Sequence, residues 1–145
     1  MAEFVMKKLV GNSEDLEIAS AATSTEEIGN PVYPPARRML AMHGIDCSGK
    51  TARQMTARDY EYYDYIVLMD RNNLRNLRWI LPADVYTRET SGPVENRKVS
   101  LLMDWVGKSR DVADPWYTGD FVATWDDVNE GCKAMLAQIK PLFQD

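Results

Sequence analysis

The chain has 145 residues with 22 acidic and 17 basic side chains, for a net charge of −5, a size that suits one domain burying roughly two-thirds of its unfolded surface. With 45% hydrophobic and 27% charged residues the composition excludes disordered and fibrous classes. No apolar run nears the roughly 20 residues of a spanning helix, and an acidic balance without a basic run disfavours a nucleic-acid surface. A single histidine and two cysteines, Cys47 and Cys132, lack the spacing of a structural zinc site and predict reduced thiols. No signal-peptide pattern opens the chain, so the cytoplasm is the expected compartment.

Met1 to Val10 places Phe4, Val5, Leu9 and Val10 at helical spacing between Glu3, Lys7 and Lys8. No capping residue precedes this helix, and the terminal ammonium would sit at its positive dipole end. It therefore reads as a helix already under way. Gly11 to Asp15 is a turn, and Leu16 to Ala22 reads as a short strand ending in small residues that let another loop approach. Thr23 to Pro31 is a polar connection carrying Glu26 and Glu27. A helical region begins at Asn30-Pro31, with Ala36, Met39, Leu40 and Met42 inward and Arg37 and Arg38 in water, and Gly44 closes it. His43, in the last turn, reads as structural.

Cys47-Ser48-Gly49-Lys50-Thr51-Ala52-Arg53 fits the bare pattern Cys-x-x-x-x-x-Arg, but a phosphate cradle needs a buried strand delivering the cysteine and a helix N-terminus behind it. Here a helix end comes before the cysteine and Gln54 follows the arginine, so the match is expected to be a decoy. Thr56-Ala57-Arg58-Asp59 forms a capping box opening a short helix through Tyr60, Tyr62 and Tyr63. Tyr65 to Met69 is apolar throughout, as a strand covered on both faces should be. Asp70 follows at its C-terminal end, where open α/β sheets place ligands, and serves equally as N-cap of a helix from Arg71 to Leu81. Pro82 to Asn96 reads as a long polar loop and Lys98 to Met103 as another strand. Trp105 to Arg110 leads to the loop Asp111 to Phe121. Asp120 caps a last helix with Phe121, Trp125, Val128, Cys132, Met135, Leu136 and Ile139 on one stripe.

The loop Asp111-Val112-Ala113-Asp114-Pro115-Trp116-Tyr117 sets a carboxylate on a proline-stiffened turn before two aromatic rings. Residue types alone fit a capped turn, or a proton donor beside a pocket for a flat group. Its surroundings resemble the low-molecular-weight protein-tyrosine phosphatases. Ile18-Ala19-Ser20-Ala21-Ala22-Thr23-Ser24, Ile28-Gly29-Asn30-Pro31, His43-Gly44-Ile45, Ala52-Arg53-Gln54, Asp64 to Asp70 and Asn73-Leu74-Arg75 fall in that family's order. The resemblance spans essentially the whole chain.

This resemblance implies a three-layer α/β domain with a parallel sheet flanked by helices, phosphotyrosine phosphatase I-like, as a single domain over residues 1–145. It also implies that the family's central first strand and its Cys-x-x-x-x-x-Arg-Ser phosphate loop are missing from this chain, an N-terminal truncation. Asp114 would be the general acid and base, and Trp116, Tyr117 and Glu26 would contact the substrate. Ser20 and Asp70 would support the phosphate loop, and no metal or cofactor would be needed. The expected function is protein-tyrosine phosphatase by a cysteinyl-phosphate route, inactive in the chain as it stands. Its partner would be a phosphotyrosine protein or a small aryl phosphate, with no nucleic acid and no membrane. Self-association through the exposed sheet gap is a further expectation. A non-catalytic phosphotyrosine-binding module and an arsenate reductase-like enzyme are the alternatives on the same scaffold.

Overall fold

Two short parallel strands separate two apolar clusters, and the helices divide between them. The computed structural model describes residues 1–11, 16–112 and 120–139. Strand β1 (Ile66–Leu68) pairs with β2 (Val99–Leu101) in the register Ile66 to Val99 and Leu68 to Leu101. Side chains alternate across a strand, so Ile66, Leu68 and Val99 enter one cluster, with Met55, Tyr60, Leu77 and Leu81. Val67 and Met69 pack against the other cluster, built from Val5, Met6, Leu40, Leu102, Met103, Val128, Cys132 and Met135. The sheet is thus the middle of three layers, as the resemblance implies.

Helix α1 (Ala2–Val10) buries Val5 and Met6 in one cluster with the long helix α6 (Phe121–Ile139), and Cys132 of α6 approaches the Ala2 carbonyl at 3.8 Å. On α6 the buried residues Val128, Cys132, Met135 and Ile139 follow the expected stripe. Gly131 lies where α6 crosses Leu102, and a Cβ there would come within 2.5 Å of the Leu102 Cγ. Helix α2 (Pro34–Met42) starts later than the sequence predicts. Pro31 is drawn into a bridge with Thr51, and the paired Pro34 and Pro35 set the first turn. It ends at Gly44, whose φ of 74° is the left-handed stop read from the sequence. His43 stacks on Trp125 of α6, ring centroids 3.7 Å apart, which fits its structural reading.

The other layer holds α3 (Ala57–Tyr62), α4 (Arg71–Asn76) and α5 (Ala83–Ser91). The capping box of α3 is present in both directions between Thr56 and Asp59. The helix read from Arg71 to Leu81 divides into α4 and a 3₁₀ turn at Leu77–Trp79.

Two expectations fail. Pro82 to Asn96 is not a loop. Pro82 caps α5, whose one fully buried residue is Glu89, 1% exposed, with Val85 and Tyr86 partly buried against the cluster of Met55 and Leu77. Glu89 accepts the Tyr60 hydroxyl at 2.6 Å and the backbone N–H groups of Lys98 and Val99 at 3.2 and 3.1 Å. With only two partly buried apolar residues, α5 relies on a buried carboxylate with three donors to hold it down, which is why apolar periodicity misses it. Leu16 to Ala22, read as a strand, forms no ladder, and only Ala22 forms a bridge, with Gln54. No helix among the described residues is long and apolar enough to cross a membrane.

Candidate active site

The C-terminal end of β1 gathers several of the expected residues. Asp70 caps α4, its Oδ1 accepting the Asn73 N–H at 2.7 Å, and Asn73 Oδ1 in return accepts the Met69 N–H at 3.2 Å. This rim also receives the incoming loop. Val112 N–H donates to the Met69 carbonyl at 2.9 Å, and Arg71 N–H donates to Asp111 Oδ1 at 3.1 Å. Arg110 forks onto Asp127 of α6 through two bonds of 2.7 Å, a bidentate pair of fixed geometry. On the far side Asp120 Oδ1 accepts the Ala123 N–H at 2.9 Å and caps α6 as expected. Both approaches to residues 113–119 are therefore tied down, one of them directly beside Asp70. Asp114, Trp116 and Tyr117 lie outside the described residues.

Ser20 sits in a second polar cluster that sequence reasoning missed. Its hydroxyl donates to Glu3 Oε1 at 2.6 Å, and Lys50 reaches the same oxygen at 2.7 Å. Lys7, one helical turn from Glu3, holds Oε2 at 2.7 Å. The Glu3 side chain is only 3% exposed. Burial alone would raise its pKa, but the bonds from Lys50, Lys7 and Ser20 prevail and hold it at about 2. The four-residue spacing of Glu3 and Lys7 was visible in the sequence; the contribution of Lys50 depends on the tertiary fold. Glu26 is exposed in the turn between the bridged residues Ala22 and Ile28. No bond links Glu26, Ser20 and Asp70 to one another among the described residues.

Neither cysteine occupies an anion cradle. Cys47 is 3% exposed and packs in the core beside α1 and α6. It follows the end of α2, and its neighbour Asp46 accepts the Ser48 N–H at 2.9 Å, an orientation that uses the local amide for a turn. Arg53 points to Asp59, bonded at 2.8 and 3.1 Å, and is unavailable to the thiol. Cys132 lies mid-helix in α6, where burial pushes its thiol up to about 11. An open hollow of about 350 Å³ beside Cys47 is lined by Arg37, Ala41, Gly44, Ile45 and Asp46, none of them an expected site residue. No group of three or more metal-ligating side chains occurs among the described residues.

Residues 1–144 match the sequence profile of the low molecular weight phosphotyrosine protein phosphatases. The chain belongs to this family. Among its relatives, the low molecular weight protein-tyrosine-phosphatase YfkJ of Bacillus subtilis is 31% identical over 145 residues, covering 97% of this chain and 86% of the relative. The low molecular weight phosphotyrosine protein phosphatase of Rattus norvegicus is 35% identical over 144 residues, covering 94% and 84%. The crystal structure of YfkJ superimposes with a TM-score of 0.84 at 32% identity, covering 99% of this chain and 87% of that one. The low molecular weight protein tyrosine phosphatase of Streptococcus pyogenes does so with 0.73 at 34% identity, covering 95% and 82%. The phosphatase fold read from the sequence is thereby established for this chain.

Proposed function

We propose that this chain is the scaffold of a protein-tyrosine phosphatase that acts through a cysteinyl-phosphate intermediate, and that residues 1–145 alone do not complete the reaction. In the family's chemistry a thiolate attacks phosphorus, forming an S–P bond as the P–O bond to the aryl group breaks. An acid gives its proton to the departing oxygen. Water then attacks phosphorus, the S–P bond breaks to return the thiolate, and the same carboxylate takes the proton from water. Asp114 takes the acid and base role in this reading, a contribution of order 10²–10⁴-fold. Trp116 and Tyr117 flank the ring, and Glu26 favours basic over acidic neighbours of a phosphotyrosine.

The observation that carries the second half of the proposal is the placement of both thiols. Cys47 is enclosed in the core with its sequence partner Arg53 turned to Asp59, and Cys132 is held protonated inside α6. Reactive cysteines need the opposite, an exposed thiolate in electropositive surroundings. Ser20 and Asp70, expected to brace a phosphate loop, instead bond Glu3 and Asn73. Each keeps acceptor capacity beyond those bonds.

Assaying the 145-residue chain with p-nitrophenyl phosphate tests this directly. Turnover by the chain and by Cys47→Ser should both equal that of buffer. Activity in the parent that Cys47→Ser abolishes would make Cys47 the nucleophile and overturn the reading.

A further inference from the structure

Helix α4 and the 3₁₀ turn that continues it carry three exposed arginines, Arg71, Arg75 and Arg78. At about 100° per residue these positions fall within about 60° of one another, while Leu74 and Leu77 turn into the cluster of Met55 and Tyr60. Trp79, 75% exposed, borders the same face. None of the three arginines pairs with a carboxylate among the described residues. Neutral groups hold them instead. Arg71 Nη2 donates to the Ser109 carbonyl at 3.3 Å, Arg75 Nη2 donates to Asn72 Oδ1 at 3.0 Å, and the Arg78 guanidinium lies 4.7 Å from the centre of the Trp79 ring. Arg53 and Arg110, by contrast, fork onto Asp59 and Asp127. The three side chains of this face are thus oriented and keep their charge, in a molecule whose net charge is −5.

The row starts at the rim of β1. Arg71 follows Asp70, and its N–H donates to Asp111 Oδ1 at 3.1 Å. From Arg71 to Arg78 the row runs about 10 Å along the helix axis, the length of about three or four residues of extended chain.

We propose that this face is a docking track for an acidic peptide segment, three or four extended residues rich in aspartate and glutamate that lie along the arginines with an end against Trp79. Arginine clusters recognise acidic motifs in this way, and guanidinium groups already held in place lose little freedom on binding. An anionic bilayer fits less well, since such surfaces gather roughly four to eight basic residues and Trp79 is the one exposed large apolar side chain of residues 71–80. Because the track begins beside Asp70, the segment is the acidic flank of a phosphotyrosine substrate, an assignment that rests on the phosphatase reading. Glu26 selects on another flank. Asn76, which donates to Thr23 Oγ1 at 3.2 Å and so holds that part of the chain, stands about 100° or more round α4 from each arginine.

The first probe is a capped peptide of about four glutamates, matched to the length of the track and added to the full chain. The indole N–H signal of Trp79, assigned by its loss in Trp79→Phe, should move saturably and less so at high salt. A peptide of lysines of the same length should leave it in place. Arg75→Gln and Arg78→Gln should each weaken binding about two- to fivefold, and the triple change with Arg71→Gln by about tenfold or more. A Trp79 signal that ignores the glutamate peptide, or an affinity unchanged in the triple variant, overturns the proposal. So do vesicles of phosphatidylserine that move the signal where the peptide does not, since a membrane would then be the occupant. The second probe is a pair of phosphotyrosine peptides that differ only in a run of glutamates or of glutamines beside the phosphotyrosine. The glutamate form should bind about tenfold tighter, with the advantage lost in the triple variant; equal affinities overturn the flank assignment. Because p-nitrophenyl phosphate carries no flank and the glutamate peptide no phosphate, failure of the phosphatase reading and failure of the track appear in different assays.

Discussion

Replacing Glu3 by glutamine removes the one negative charge of a buried cluster and leaves Lys7 and Lys50 without the carboxylate they share. Holding a carboxyl at about 2 in place of 4.5 corresponds to about 3 kcal/mol, at about 1.4 kcal/mol per pKa unit. Lys7 and Lys50 are 48% and 28% exposed, so water screens part of this and about 1–2 kcal/mol remains. The folded value lies below the unfolded one. The stabilisation is therefore complete above about pH 4.5 and drains away as pH falls toward 2. Urea unfolding at pH 7 should show Glu3→Gln losing about 1–2 kcal/mol relative to the parent, and the two curves should converge as the pH is lowered through 4 toward 3. A double-mutant cycle with Lys50→Met should show coupling between the two positions. Equal urea midpoints at pH 7, or a gap between parent and variant that stays constant between pH 6 and pH 3, would refute the reasoning.

Further predictions address the core and the thiols. Gly131→Ala adds a Cβ 2.5 Å from Leu102 Cγ and should cost about 1–3 kcal/mol despite alanine's helix preference. Combined with Leu102→Ala, it should cost less than the sum of the two changes measured separately by urea unfolding. Leu40→Ala empties a site that is 0% exposed and should lower stability by about 3 kcal/mol in the same assay. Glu89→Ala leaves Tyr60 and the first amides of β2 without their acceptor and should cost about 3 kcal/mol. Burial, and then the bond to Glu89, raise the Tyr60 pKa above 10.0, so an ultraviolet titration should find it ionising later in the parent than in Glu89→Ala. With its thiol held at about 11, Cys132 should resist iodoacetamide at pH 8 in the folded chain and react once urea unfolds it.

Elements whose information is local could be read from the sequence. Thr56 and Asp59 form a capping box from residues three apart, Gly44 stops α2 in the left-handed conformation, and Val128, Cys132, Met135 and Ile139 mark the buried side of α6. Strand β1 was visible because a doubly covered strand is apolar without alternation. The failures have the opposite origin. Helix α5 has only Val85 and Tyr86 as partly buried apolar cover and is held by a buried carboxylate whose donors are Lys98, Val99 and Tyr60, so its own pattern looks like loop. Leu16 to Ala22 carries strand-forming residues, but a strand is defined by pairing, and its partner edge is not a local property. The same holds at the candidate site. Asp70 was found because it ends an apolar run, and its capping role was foreseen. Glu3 was overlooked because a glutamate in a first helical turn normally faces water, and only the arrival of Lys50 and Ser20 makes its burial tolerable.

The Glu89 anchor also has a consequence for the order of folding. Glu89 and Val99 are ten residues apart in sequence, so the loop that joins them closes at little entropic cost. Cys132 and Ala2 are separated by 130 residues, and closing that span is far slower. Helix α5 and the start of β2 should therefore form an early nucleus with Tyr60, leaving the docking of α1 on α6 to complete the molecule. Destabilising changes at Glu89 should slow refolding, whereas equal losses at the α1–α6 contact should chiefly hasten unfolding.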